Sequence, residues 1–150
     1  MKKLIAMISL GCILSAGISV VALLPAEPAS ADVTGCTVYA RQTVGGISIP
    51  NGSYCATIVG TGTTVRYVSG TPITNRICNW DISAEFFNRN WVWKKTYRSS
   101  RTTGCSSGAP TKTIVVNRTI SQLTGTPQGY MCSTLRVGGQ RVTSVCNYVY

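Results

Sequence analysis

Cysteine usage constrains this chain more than any other feature. Seven cysteines occur, and the first, Cys12, lies inside an uncharged apolar run that follows Lys2 and Lys3. A basic start, an apolar stretch over 4–24 and the small-x-small triplet Ala29-Ser30-Ala31 form the pattern of an export signal, cleaved here after Ala31. The competing reading is an uncleaved anchor, since a run of roughly 20 apolar residues can cross a bilayer. Gly11, Gly17 and several serines dilute this one, and cleavage is the expectation.

The remaining cysteines are Cys36, Cys55, Cys78, Cys105, Cys132 and Cys146. An even set in an exported chain reads as three disulfides, because the compartment is oxidising. A metal site fits poorly: no two of these cysteines have zinc-ligand spacing, and the chain contains no histidine. No phosphate-cradling glycine loop with its lysine occurs, so no cofactor is implied.

No stretch of the mature region keeps a helical period. Short runs of Thr, Val, Ile and Tyr alternate with glycine-bearing breaks, which is the strand signature. The pattern predicts strands over 36–43, 54–59, 63–68, 76–86, 91–98, 112–116, 131–137 and 141–148, with a short helix over 83–88 as a local alternative. Breaks are expected at 45–46, 50–52, 60–62, 69–72, 88–90, 106–110, 125–129 and 138–139. That arrangement predicts a single all-β domain over 32–150, an antiparallel sandwich or barrel-like sheet.

Turn geometry then predicts disulfide partners. A two-residue turn at Gly45-Gly46 sets Cys36 opposite Cys55, and a three-residue loop over 138–140 sets Cys132 opposite Cys146. Pairing across 88–90 brings Cys78 near Ser100, a few residues short of Cys105. The resulting scheme is Cys36–Cys55, Cys78–Cys105 and Cys132–Cys146. A competing scheme comes from a degenerate internal repeat, in which 35–79 resembles 104–147 through Gly-Cys, Gly-x-x-Cys-small-Thr and aliphatic-Cys-Asn motifs. It would pair Cys55 with Cys78 and Cys36 with Cys105. Both schemes contain Cys132–Cys146.

For chemistry, absence is informative. Without histidine the Ser-His and Cys-His nucleophile pairs cannot be assembled. The one carboxylate pair is Asp81 and Glu85. On a strand they would share a face at roughly 13 Å between Cα atoms, against roughly 5–9.5 Å between the carboxyls of glycosidases. Pairing with Arg89, Lys94, Lys95 or Arg98 is the simpler expectation.

The segment 80–101 is the most distinctive. It holds all three tryptophans (Trp80, Trp91, Trp93), both phenylalanines (Phe86, Phe87), Tyr97 and five cations. As a hairpin, one face would carry Trp80, Ile82, Ala84, Phe86 and Val92 toward the core. The other would carry Asp81, Ser83, Glu85, Phe87, Trp91, Trp93, Lys95 and Tyr97, a mixture suited to stacking on sugars or bases. Past the signal, twelve basic residues face three acidic ones, a net charge of +9, which favours polyanions.

The sequence therefore predicts a secreted, non-catalytic binding protein. Trp91, Trp93 and Tyr97 would stack, while Lys94, Lys95, Arg98 and Arg101 attract an anionic cell-wall polymer, a polysaccharide or an anionic membrane surface. No nucleic-acid module is present, so nucleic acid would be bound only without sequence preference. Competing readings are a secreted protease inhibitor or antimicrobial toxin presenting a disulfide-braced loop over 99–110, and a small hydrolase using Asp81 and Glu85.

Overall fold

The structure, a computed structural model, describes residues 32–150; the expected export segment over 1–31 lies outside the described residues. The fold is all-β and antiparallel. Its strands are β1 (Val33–Tyr39), β2 (Gln42–Val44), β3 (Ile47–Ile49), β4 (Gly52–Thr61), β5 (Thr64–Asn88), β6 (Trp93–Arg98), β7 (Thr102–Gly108), β8 (Lys112–Thr119), β9 (Gly129–Val137) and β10 (Gln140–Val149). One helix of five residues, α1 (Ile120–Thr124), interrupts them.

The organising element is β5. Its first half lies between β4 and β8, and its second half between β9 on one side and β7 and β6 on the other. The sheet runs β1-β4-β5-β9-β10 and curls into a half-barrel, bringing β1 against β10. β2 and β3 form a separate hairpin. The concave side is filled by Tyr54, Ile58, Trp80, Ile82, Phe86, Met131 and Leu135, all buried. This is the core face expected for Trp80, Ile82, Ala84 and Phe86; Val92, assigned to it as well, is exposed instead because it lies in the loop before β6.

The break expected over 69–72 does not exist: β5 continues straight through Gly70 and Pro72. Gly70 is glycine for space. A Cβ there would overlap the Tyr54 hydroxyl and stand 2.9 Å from the ring carbon Cζ. Pro72 stands opposite Tyr54 of β4, in the interval where pairing with β8 has ended at Gly70 and pairing with β7 has yet to begin at Thr74. A residue without an N–H is tolerated where one side of the strand carries no ladder. The helix considered over 83–88 is absent for the same topological reason, since each of these residues has a partner on β9.

The strand expected over 36–43 divides into β1 and β2, and the segment 99–110 contains strand β7, paired to β5. The helix α1 was not anticipated, although Thr119-Ile-Ser-Gln122 is a capping box: the Thr119 side chain accepts from the Gln122 N–H, and the Gln122 side chain accepts from the Thr119 N–H.

The disulfides are Cys36–Cys55, Cys78–Cys105 and Cys132–Cys146. Each joins residues directly opposite one another on paired strands. The repeat-based pairs Cys55–Cys78 and Cys36–Cys105 are therefore not formed. Gly45 and Gly46 both have positive φ (54° and 77°), as a two-residue turn of this hand requires. The β9–β10 turn also has two residues, Gly138-Gly139, not three; a register shift between Arg141 and Thr143 adds the missing residue and restores Cys146 opposite Cys132.

Across the core, the Tyr54 hydroxyl lies 2.6 Å from the Ser133 hydroxyl. Burial pushes the Tyr54 phenol up to about 12, an effect its bond to Ser133 only partly offsets. Between pH 10 and about 12 the unfolded chain releases this proton while the folded chain retains it. The stability that Tyr54 contributes is therefore fully present below that range and falls as pH rises through it, by on the order of 3 kcal/mol. Denaturant unfolding measured across alkaline pH should show this slope, and Tyr54→Phe should flatten it. At neutral pH, Gly70→Ala should cost about 3 kcal/mol through overpacking, and adding Tyr54→Phe should return part of that loss. A fully stable Gly70→Ala protein would contradict the packing described.

Candidate functional site

The face of the β6-β5-β9-β10 portion turned away from the Trp80–Phe86 core is laid out in rows by the strand register, and its centre (Ser83, Glu85, Cys132, Thr134) is buried. Trp93, Phe87, Tyr130 and Tyr148 form the first row. Thr96, Glu85, Cys132 and Cys146 form the second, and Arg98, Ser83, Thr134 and Ser144 the third. Asp81, Arg136 and Arg141 close the far end. Side chains at alternate positions of a strand share a face, so one surface carries aromatics at one end and arginine–carboxylate pairs at the other.

The aromatic end extends beyond the register row. The Trp91 ring stacks on Tyr130 at 4.0 Å and 16° between planes, and lies 5.7 Å from Phe87. Tyr130 meets Tyr148 at 5.1 Å, and Tyr148 meets Tyr150 at 6.0 Å. Trp91 is 52% and Trp93 58% exposed, with Tyr148 and Tyr150 also open to solvent. The ladder is therefore contiguous and accessible, unlike the scattered aromatics of an ordinary surface.

Trp91 reaches Tyr130 from an unusual backbone conformation, with φ of 59°. A bulky residue in the left-handed region costs about 1–3 kcal/mol and persists only where its surroundings impose it. Here the loop is fixed by Asn88, whose side-chain oxygen accepts from the N–H groups of both Asn90 and Val92 at 3.0 Å. The backbone also closes on itself, with Asn88 donating to Val92 and Trp91 donating to Asn88.

The structure separates the other expected site residues. Tyr97 stands opposite Ala84, on the core side, and meets Phe86 edge-on at 6.0 Å. The expected alternation fails there because Lys94 is an extra residue in β6, shifting the register between Phe86 and Phe87. Lys95 moves with Tyr97, its ammonium 5.6 Å from that ring. Lys94 and Arg98 are exposed and, among the described residues, in no ion pair. Arg101 is engaged with Asp81 at 3.7 Å. Trp93 donates its indole N–H to Thr96 at 2.9 Å.

Asp81 and Glu85 do not decorate an open mixed surface. They are 3% and 8% exposed, and Ser83 between them is fully buried. Their partners are Arg101, Arg136 and Arg141, not the nearby Arg89, Lys94, Lys95 or Arg98. Glu85 takes Arg141 on one oxygen, while Arg136 at 3.7 Å and the Ser83 hydroxyl at 3.0 Å meet the other. Each carboxylate faces a guanidinium, but only Glu85 is hydrogen-bonded to one, while Asp81 Oδ1 is buried without a hydrogen-bond partner. Among the described residues, no group of His, Cys, Asp or Glu side chains could hold a metal.

Tyr130, Tyr148 and Tyr150 were absent from the sequence-based site. Each lies more than 35 positions after Trp91 in the chain, and only the β5–β9 register joins them to it. Strand alternation offered a local hint, because Tyr130, Cys132 and Thr134 share one face once β9 is assigned.

Removing the hub of the network should be costly. Glu85→Ala leaves Arg136, whose side chain is 16% exposed, without its charge partner, and should cost about 3 kcal/mol. Asp81→Asn should cost less than about 1 kcal/mol, because the 47%-exposed Arg101 side chain is solvated in its absence. Paired denaturant titrations measure both, and equal losses would refute this ranking. Comparison with protein-family models and with curated proteins returns no match, so any reading of this face rests on its geometry.

Proposed function

We propose that this protein is a secreted, non-catalytic binding protein for carbohydrate polymers, with the aromatic ladder as its stacking platform. The observation that carries the reading is the chain of ring contacts Phe87–Trp91–Tyr130–Tyr148–Tyr150, in which Trp91, Tyr148 and Tyr150 are exposed, with the exposed Trp93 opposite Phe87 at its end. Four strands spaced by about 4.8 Å make such a row roughly 14 Å long, the length of a few consecutive sugar rings. The apolar C–H faces of sugars pack on aromatic rings, and hydroxyls at their edges meet polar groups nearby.

Rigidity supports the same reading. Most of the rings project from paired strands, and Trp91 is held by a pinned loop, so little ordering would accompany binding. Three disulfides fit an oxidising environment outside the cytoplasm. The excess of basic residues favours polymers that carry negative charge. Catalysis plays no part in the proposal: the chain has no histidine, and Asp81 and Glu85 are committed to arginines.

Retention on insoluble polysaccharides tests it, using peptidoglycan sacculi, chitin and cellulose as probes. Loss of an exposed stacking ring costs about 1–3 kcal/mol at comparable platforms. The Trp91→Ala/Trp93→Ala variant should therefore lose at least about tenfold in affinity for whichever polymer retains the parent protein, while its unfolding transition remains cooperative. Retention unchanged in that variant, or no retention of the parent on any of the three, would count against the proposal.

A further inference from the structure

Beside the aromatic ladder lies a cleft of about 310 Å³ lined by Arg89, Thr126, Pro127 and Gln128. Gln128 is two residues before Tyr130 and is tied to the ladder directly, since the Tyr148 hydroxyl donates to its side-chain oxygen at 2.7 Å. That bond fixes the amide orientation. With Oε1 engaged, the amide NH₂ is left as an unengaged donor on a residue that lines the cleft.

Arg89 supplies the charge. It is exposed, and among the described residues it forms no ion pair or side-chain hydrogen bond. Asp81 and Glu85 are occupied elsewhere on the sheet, and no carboxylate lines the cleft. The cleft thus brings together a guanidinium and an amide NH₂ with no acidic side chain to satisfy either.

Both walls are preformed. On one side, Asn88 holds the loop that carries Arg89. On the other, the Thr124 hydroxyl lies within hydrogen-bond reach of the carbonyls of Ile120 at 2.8 Å and Thr126 at 2.7 Å and donates its one proton to either, and the Thr126 hydroxyl donates to the Gln128 carbonyl. The site does not have to be assembled around a ligand.

The geometry points to an oxyanion subsite: the cleft takes the carboxylate or phosphate of an acidic sugar whose neighbouring rings stack on the exposed Trp91 and Tyr148. A planar guanidinium engages two oxygens of such a group at once. This inference rests on the polymer-binding reading above and narrows its substrate class from carbohydrate in general to acidic polysaccharide.

Affinity electrophoresis through gels containing matched polymer pairs tests it. The pairs are polygalacturonate with its methyl ester, hyaluronate with its carboxyl-reduced form, and a glycosyl-phosphate polymer with its dephosphorylated form; the first two report carboxylate, the third phosphate. For at least one pair the acidic member should bind about tenfold or more tightly than the neutral one, the size expected of a charge-assisted contact. Arg89→Ala should bring the two members of that pair to within about twofold, with Arg89→Lys intermediate. Arg66→Ala, an equal loss of charge on the exposed surface of the other half of β5, should leave the preference intact.

If acidic and neutral members bind alike, or if Arg66→Ala erases the preference as fully as Arg89→Ala, the subsite is refuted while the stacking platform stands. If no polymer of any pair retards the parent protein, the subsite is refuted, and the stacking platform is judged by retention on the insoluble polysaccharides.

Discussion

One buried contact ties the two halves of this fold together. The Tyr54 hydroxyl, on β4, meets the Ser133 hydroxyl, on β9, across the core and 79 positions along the chain. It fits only because Gly70 offers no side chain beneath it. Everything that positions the outer face follows from that fit. With Gly70 in place β5 runs unbroken between the two portions of the sheet; a larger residue would push Tyr54 off the core or bend the strand where it must be straight.

The disulfides do a different job. Each closes a loop of 14 to 27 residues between strands that are already paired, and each contributes about 3 kcal/mol, chiefly by restricting the unfolded chain. None links the β1-β4-β8 portion to the β9-β10 portion. Cohesion between those portions is left to β5, the Tyr54–Ser133 contact, the packing of β1 on β10 and buried apolar surface around Trp80, Phe86 and Leu135, so the covalent bonds secure strand pairs while packing secures the architecture. Cys132–Cys146 lies in the row next to Tyr130 and Tyr148, where it also fixes the spacing of two rings of the ladder.

What could be read from the sequence was whatever is set locally. Gly45-Gly46 specifies both the β2–β3 turn and, by extension of the same register, Cys36 opposite Cys55. The alternation of Trp80, Ile82, Ala84 and Phe86 marks a core face in any strand-forming segment. Gly70 and Pro72 misled because turn chemistry and close packing use the same residue types; only Tyr54, remote in sequence, tells them apart. Tyr97 was misplaced by a single bulged residue, Lys94, since one extra residue reverses the facing of all that follow. The burial of Glu85 was out of reach because Arg136 and Arg141 arrive from the far end of the chain.

The same long-range pairing explains why charge and aromatics part company on one surface. Burying Glu85 between Arg136 and Arg141 neutralises the end of the sheet where side chains are most enclosed, as burial of charge requires. It also consumes carboxylates that would otherwise compete for cations elsewhere. Arg89 and Lys94, flanking the Trp91 loop, are left facing water without an acidic neighbour. The exposed cations are hydrated and cost little, but the exposed rings forgo burial and Trp91 adds backbone strain. Nothing in the core packing requires that strain: the Trp91 ring covers Tyr130, which is itself only half-buried. The polymer proposed above, stacking on the rings and answering the charge, would offset that local imbalance at this end of the sheet.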